Sequence, residues 1–177
     1  MAFKGKWPVR TKIVVGDLIL EQVSAFTYLG CTLTYEKDED IFNKLKKIQY
    51  ICGTIHRTLK NKVKRVTKLK FYKTMAIPVL MYESESWVVG RKEISRIQAA
   101  EMRFLRSVKG CTRLDLLRNE DIREELKVEP LNEEIKKYRN RWKAHIDRMP
   151  TGRIPVKALN YRPAGKRDVG RPRKRWS

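Results

Sequence analysis

The chain has 177 residues, 41 Lys and Arg against 20 Asp and Glu, and a formal net charge of +21. Hydrophobic residues make up 41%, enough for a packed core and too many for a wholly disordered basic tail. No apolar run approaches the ~20 residues of a membrane span. MAFKGKWPVR lacks the apolar stretch of a signal peptide, and Cys31, Cys52 and Cys111 fit neither a disulfide framework nor a zinc site, so an intracellular protein is expected.

The first third reads as strand. Residues 11–15 (TKIVV) are β-branched, Gly16 and Asp17 punctuate, and residues 18–23 (LILEQV) alternate; this predicts a hairpin. Residues 25–33 fit a third strand, with Gly30 inside it as a bulge or a close approach. Such strands expose an unpaired edge.

From about residue 38 the period changes to helical. Ile41, Leu45, Ile48, Cys52, Ile55 and Leu59 recur every three or four residues, the seam of a packed helix reaching about residue 61. Asp38, Glu39 and Asp40 suit its positive end, and Gly53 weakens its middle. Thr67 can cap a second helix with Leu69, Tyr72, Ala76 and Val79 on one face, and Pro78 should kink it. A third helix spans about 92–109 and stops at Gly110. Asn119 can cap a short one (NEDIREEL), and a long one covers about 132–149, with Ile135, Tyr138, Trp142, Ile146 and Met149 on one face. Beyond Met149, scattered Pro, Gly and Arg predict an extended tail.

The expected fold is therefore α+β and mainly α. A short hairpin or small antiparallel sheet occupies residues 1–36, four to five helices fill 37–150, and an extended basic tail covers 151–177.

The positive charge is concentrated. No acidic residue lies between Asp40 and Glu83, where Lys44, Lys46, Lys47, Arg57, Lys60, Lys62, Lys64, Arg65, Lys68, Lys70 and Lys73 stand. The tail adds nine cations against Asp168 alone. Ordinary surface helices mix signs because like charges repel. An acid-free stretch makes physical sense when a polyanion neutralises it, and nucleic acid is the expected partner rather than a membrane. The candidate contacts are Lys44, Lys47, Arg57, Lys60, Lys62, Lys64, Arg65 and Lys68. GRPRKRW at 170–176, with Arg167 before it, offers Gly170, Arg171, Pro172, Arg173, Lys174 and Arg175 as a phosphate-binding arm, a minor-groove hook or a nuclear-import signal.

No catalytic residue is expected. The acidic cluster at 36–40 is explained by a helix start, and there is no metal-ligand spacing, P-loop or nucleophile motif. His145, beside an apolar stripe, reads as structural. Glu85 and Glu101 fall in apolar surroundings, and such carboxylates require hydrogen bonds or an Arg partner; both read as structural.

FTYLGCTLT, the basic helix, AIPVLMYESESW, AAEMRFLR, NEDIREEL, RWKAHIDRM and GRPRKRW follow in that order over nearly the whole chain. This series resembles the C-terminal part of reverse transcriptases of non-LTR (LINE-like) retrotransposons, especially those of insects. The resemblance implies that Tyr28, Leu29 and Gly30 correspond to the primer grip at the end of the palm, and that the helices correspond to the thumb that holds the template–primer duplex. It places the family's catalytic aspartates upstream of Met1, so none is carried over to a residue here. The chain alone is expected to be inactive and to need no cofactor, magnesium belonging to the upstream catalytic domain. One departure is Tyr82-Glu83-Ser84-Glu85 where the family has Tyr-Gly-x-Glu, which puts the local turn in doubt.

Three readings remain: a template–primer-binding part of such a polymerase, working in the nucleus or moving between nucleus and cytoplasm; a stand-alone nuclear DNA- or RNA-binding protein; or an inert retrotransposon relic.

Overall fold

The computed structural model describes residues 2–3, 12–34, 39–59 and 63–161. It is α+β and mainly helical, with short strands at the N-terminal end. Residues 60–62, which carry the candidate contacts Lys60 and Lys62, and residues 162–177, which carry every proposed tail contact, lie outside the described residues.

Among the described residues, six short strands form three pairs. β1 (Ala2–Phe3) runs parallel to β4 (Gln22–Val23), a pairing the sequence did not suggest. β2 (Val14–Val15) and β3 (Leu18–Ile19) make the expected hairpin, with Gly16 at φ +62° in its turn. Its strands are exposed on both faces, contrary to the in–out alternation read from residues 18–23. The expected third strand is instead a second hairpin, β5 (Ala25–Tyr28) and β6 (Cys31–Thr34). Leu29 and Gly30 form its two-residue turn, both at positive φ, which matches the right-handed twist of the flanking strands. Gly30 is thus a turn residue and not a bulge.

α1 (Glu39–Thr58) buries Ile41, Leu45, Ile48, Cys52 and Ile55, five of the six seam residues read from the sequence. Leu59 packs against the same core just beyond the helix end. α2 (Arg65–Phe71) starts two residues before Thr67, so Thr67 lies inside the helix and does not cap it.

Pro78 interrupts the next turns in a specific way. It has no N–H to give, and its ring would collide with the carbonyl four residues back. The helix widens into one π turn over Tyr72–Ala76, where the Ile77 N–H reaches the Tyr72 carbonyl five residues back. It then resumes as α3 (Ile77–Met81).

α4 (Arg91–Lys109) opens with the Glu93 carboxylate accepting from the Gly90 N–H at 2.8 Å. It closes at Gly110 in the left-handed conformation, as expected. α5 is Asn119–Leu126 with Arg118 as its cap; Asn119 is already helical, and its side-chain oxygen accepts from Arg106 instead. α6 is Leu131–Asp147. A further helix, α7 (Ile154–Asn160), occupies part of the stretch read as extended tail. There, IPVKALN places Pro155 in the first turn, where its missing N–H costs nothing.

The core forms where α1 packs on α3 and α4, with α5 and α6 closing over α4. Tyr72 stacks on Phe104 at 4.6 Å between centroids, and burial pushes the Tyr72 phenol far up. Each large apolar side chain sealed here contributes about 1.5–3 kcal/mol.

Candidate nucleic-acid interface

Lys44, placed by sequence among the phosphate contacts, is not on the surface. It is 3% exposed and its charge is engaged within the fold. Its ammonium sits 2.9 Å from Asp40 Oδ2, donates to the Tyr82 carbonyl at 2.5 Å and lies over the Trp87 ring. Helical phase explains this: Lys44 precedes Leu45 and Ile48 on the side of α1 that meets α3. Lys68 is likewise buried, one turn before Tyr72. These two corrections share a cause, since a run without acids does not place every cation outward.

Asp40 is the hub of the buried cluster. One carboxylate oxygen accepts from the Trp87 indole N–H at 2.9 Å, and the other from the Thr32 backbone N–H at 3.2 Å. It thereby joins the second hairpin, α1 and the segment before α4. Cys31 completes the cluster; burial is the main reason its thiol is pushed up to about 11.

The other cations divide by partner. Arg65 is exposed but turned toward the far side, donating to Glu125 and to the Lys109 carbonyl, both at 3.1 Å. Lys109 pairs with the same carboxylate at 2.6 Å. Lys46, Lys47, Arg57, Lys64, Lys70 and Lys73 are exposed. Lys46 and Lys47 share the outer face of α1 with Arg57, and Lys46 lies over the Phe42 ring at 4.2 Å. Among the described residues, the exposed cations of this stretch thus lie on the outer side of α1 and along α2 and the π turn, without Lys44 and Lys68.

Tyr28, Leu29 and Gly30 form the tip of the second hairpin. Tyr28 and Leu29 are exposed, and the Leu29 carbonyl accepts from the Tyr82 hydroxyl at 2.9 Å. The turn in doubt at Glu83 is present: Glu83 stands at φ +58°, the left-handed region that favours glycine.

Glu101 has the arginine its position required. It is 1% exposed, accepts from Arg123 at 2.7 Å and from the Leu131 backbone N–H at 3.0 Å. Burial lifts its carboxyl above the usual range, and Arg123 opposes that lift. Glu85 is half-buried in the 3₁₀ turn Ser84–Ser86. His145, read as structural, is exposed on α6. Among the described residues, no group of three or more His, Cys, Asp or Glu is placed to hold a metal, and no helix is long and apolar enough to cross a membrane.

Between α1 and the end of α2, with the π turn that follows it, runs an apolar groove of about 300 Å³, bordered by Tyr50, Phe71 and Met75. Hydrophobic periodicity does not reveal these residues, because they sit off the buried stripe. An aromatic residue beside lysines on a helix's outer face was the available signal. No family model, curated protein or solved structure matches the chain.

Proposed function

We propose that this chain holds a nucleic-acid duplex by its phosphates, as the thumb of a LINE-like reverse transcriptase holds template and primer. The observation that supports this is the outer face of α1. Lys46, Lys47 and Arg57 are exposed there, Lys64 opens α2, and no acid occurs from residue 41 to residue 82. On the same resemblance, we assign the role of primer grip to Tyr28, Leu29 and Gly30 at the tip of the second hairpin. The basic residues at 166–175 suit a nuclear address, so we place the protein's work in the nucleus.

The test uses an RNA–DNA duplex, binding followed by fluorescence anisotropy at several salt concentrations. Reversing charge with Lys47→Glu and Arg57→Glu should weaken binding by about tenfold or more and flatten its salt dependence. Lys44 is left intact, since removing it would strand Asp40 and the Tyr82 carbonyl inside the fold. Removing residues 162–177 should leave most of the affinity. The opposite pattern, affinity lost with the tail and kept with the double reversal, would favour the stand-alone nuclear binder. Affinity indifferent to salt would end the phosphate reading altogether.

A further inference from the structure

We infer that the groove between α1 and α2 stacks unpaired bases, so that this surface takes a single-stranded segment of nucleic acid as well as a duplex backbone. The inference rests on the cationic surface proposed above and adds the class of ligand that surface prefers.

The groove combines two properties that seldom occur together. Its lining is almost wholly apolar: Tyr50, Thr54 and Thr58 on α1, Leu59 just beyond it, and Phe71 and Met75 opposite. The two rings and the thioether are open to solvent, Tyr50 at 72%, Met75 at 50% and Phe71 at 40%. Its border is cationic. Lys46 and Lys47 lie one turn before Tyr50 on α1, and Arg57 reaches the hydroxyl of Thr54 at 3.4 Å. Lys64, also exposed, is the cap residue before α2, whose last residue is Phe71.

Each half of that description excludes something. A groove built for phosphate alone has no use for exposed rings and a thioether. A groove built for an apolar peptide has no use for a border of Lys46, Lys47, Arg57 and Lys64. A basic or neutral partner would leave the repulsion among these lysines unrelieved. A single strand satisfies both halves, because its bases present flat apolar faces at short intervals along a chain of negative charge. Sequence-tolerant single-strand binders work by this pairing of aromatic platforms with a positive track. A blunt duplex cannot use the rings, because its base faces are already stacked on one another.

The experiment measures anisotropy of the full chain with three labelled probes: oligo(dT) of about twelve nucleotides, an abasic backbone of the same length, and a blunt duplex. The expected result is oligo(dT) binding about tenfold tighter than the abasic strand. Replacing Tyr50→Ala together with Phe71→Ala should remove that difference and leave the duplex unaffected. Both rings are solvent-exposed, and an unchanged circular-dichroism melt checks the fold. Tyr50→Trp should keep oligo(dT) affinity, with its emission quenched on binding. Equal binding of oligo(dT) and the abasic strand overturns the inference while leaving phosphate binding intact. Failure of all three probes overturns both. A double alanine variant that turns a sedimenting dimer into a monomer without touching oligo(dT) affinity assigns the groove to a second copy of the chain instead.

Discussion

Glu83 carries the most informative backbone strain in the chain. Its left-handed conformation, φ +58° and ψ 15°, follows from the turn that brings Tyr82 over Lys44 and sends the chain toward Trp87. A side chain is unfavourable in that region, and Glu83 Oε2 is also buried without a hydrogen-bond partner. Glu83→Gly should therefore raise stability by about 1 kcal/mol, seen as a higher urea midpoint at unchanged slope. A lower midpoint would mean that the carboxylate contributes more through its neighbour Cys31 than the turn loses in strain. Legibility at this scale was partial. That Glu101 needed a partner could be read from its place in an apolar stripe. That the partner is Arg123, 22 residues on and in another helix, could not, because spacing along one helix says nothing about the phase of the next.

Two glycines, one inside a long helix and one capping another, show how the same substitution acts oppositely at the scale of the element. Gly53 sits within α1 with open space where a methyl would go. Gly110 ends α4 at φ +85°, also with open space around it. Gly53→Ala should stabilise by about 1 kcal/mol through helix propensity alone. Gly110→Ala should destabilise by about 1 kcal/mol, because the cap must remain left-handed to satisfy the last carbonyls of the helix. Thermal melts of the two variants should move in opposite directions; a shared direction would mean that one helix ends elsewhere in solution. Both positions were legible, since each depends on local backbone. The π turn before Pro78 was legible only as an unspecified kink.

For the molecule as a whole, a net charge of +21 opposes compaction. Attractive pairs such as Glu125 with Arg65 and Lys109, and Glu129 with Lys137, offset part of it. Among the described residues, Lys46, Lys47 and Arg57 on the outer face of α1 have no such ion pair. Without a partner, raising ionic strength from about 0.01 M to 0.15 M shortens the Debye length from about 30 Å to about 8 Å. The melting temperature should then rise by several degrees, and a short duplex should produce the same rise at low salt. A fall in melting temperature with salt would show that the surface pairs outweigh the repulsion.

By itself, the sequence determined the mainly helical α+β class, the seam of α1, the caps at Gly110 and the turn at Gly16, and the acid-free stretch from residue 41 to residue 82. All of these follow from short-range periodicity, backbone preference or composition. Only the tertiary structure decided which cations face outward. Lys44 and Lys68 are buried, Arg65 turns to Glu125, and Lys47, Arg57 and Lys64 remain on the surface. Tertiary structure also placed Tyr50 and Phe71 across one groove. The physical reason is that a charge or a ring on a helix acquires its role from the element packed beside it, and that neighbour is set by how the helices meet rather than by the residues on either side in the chain.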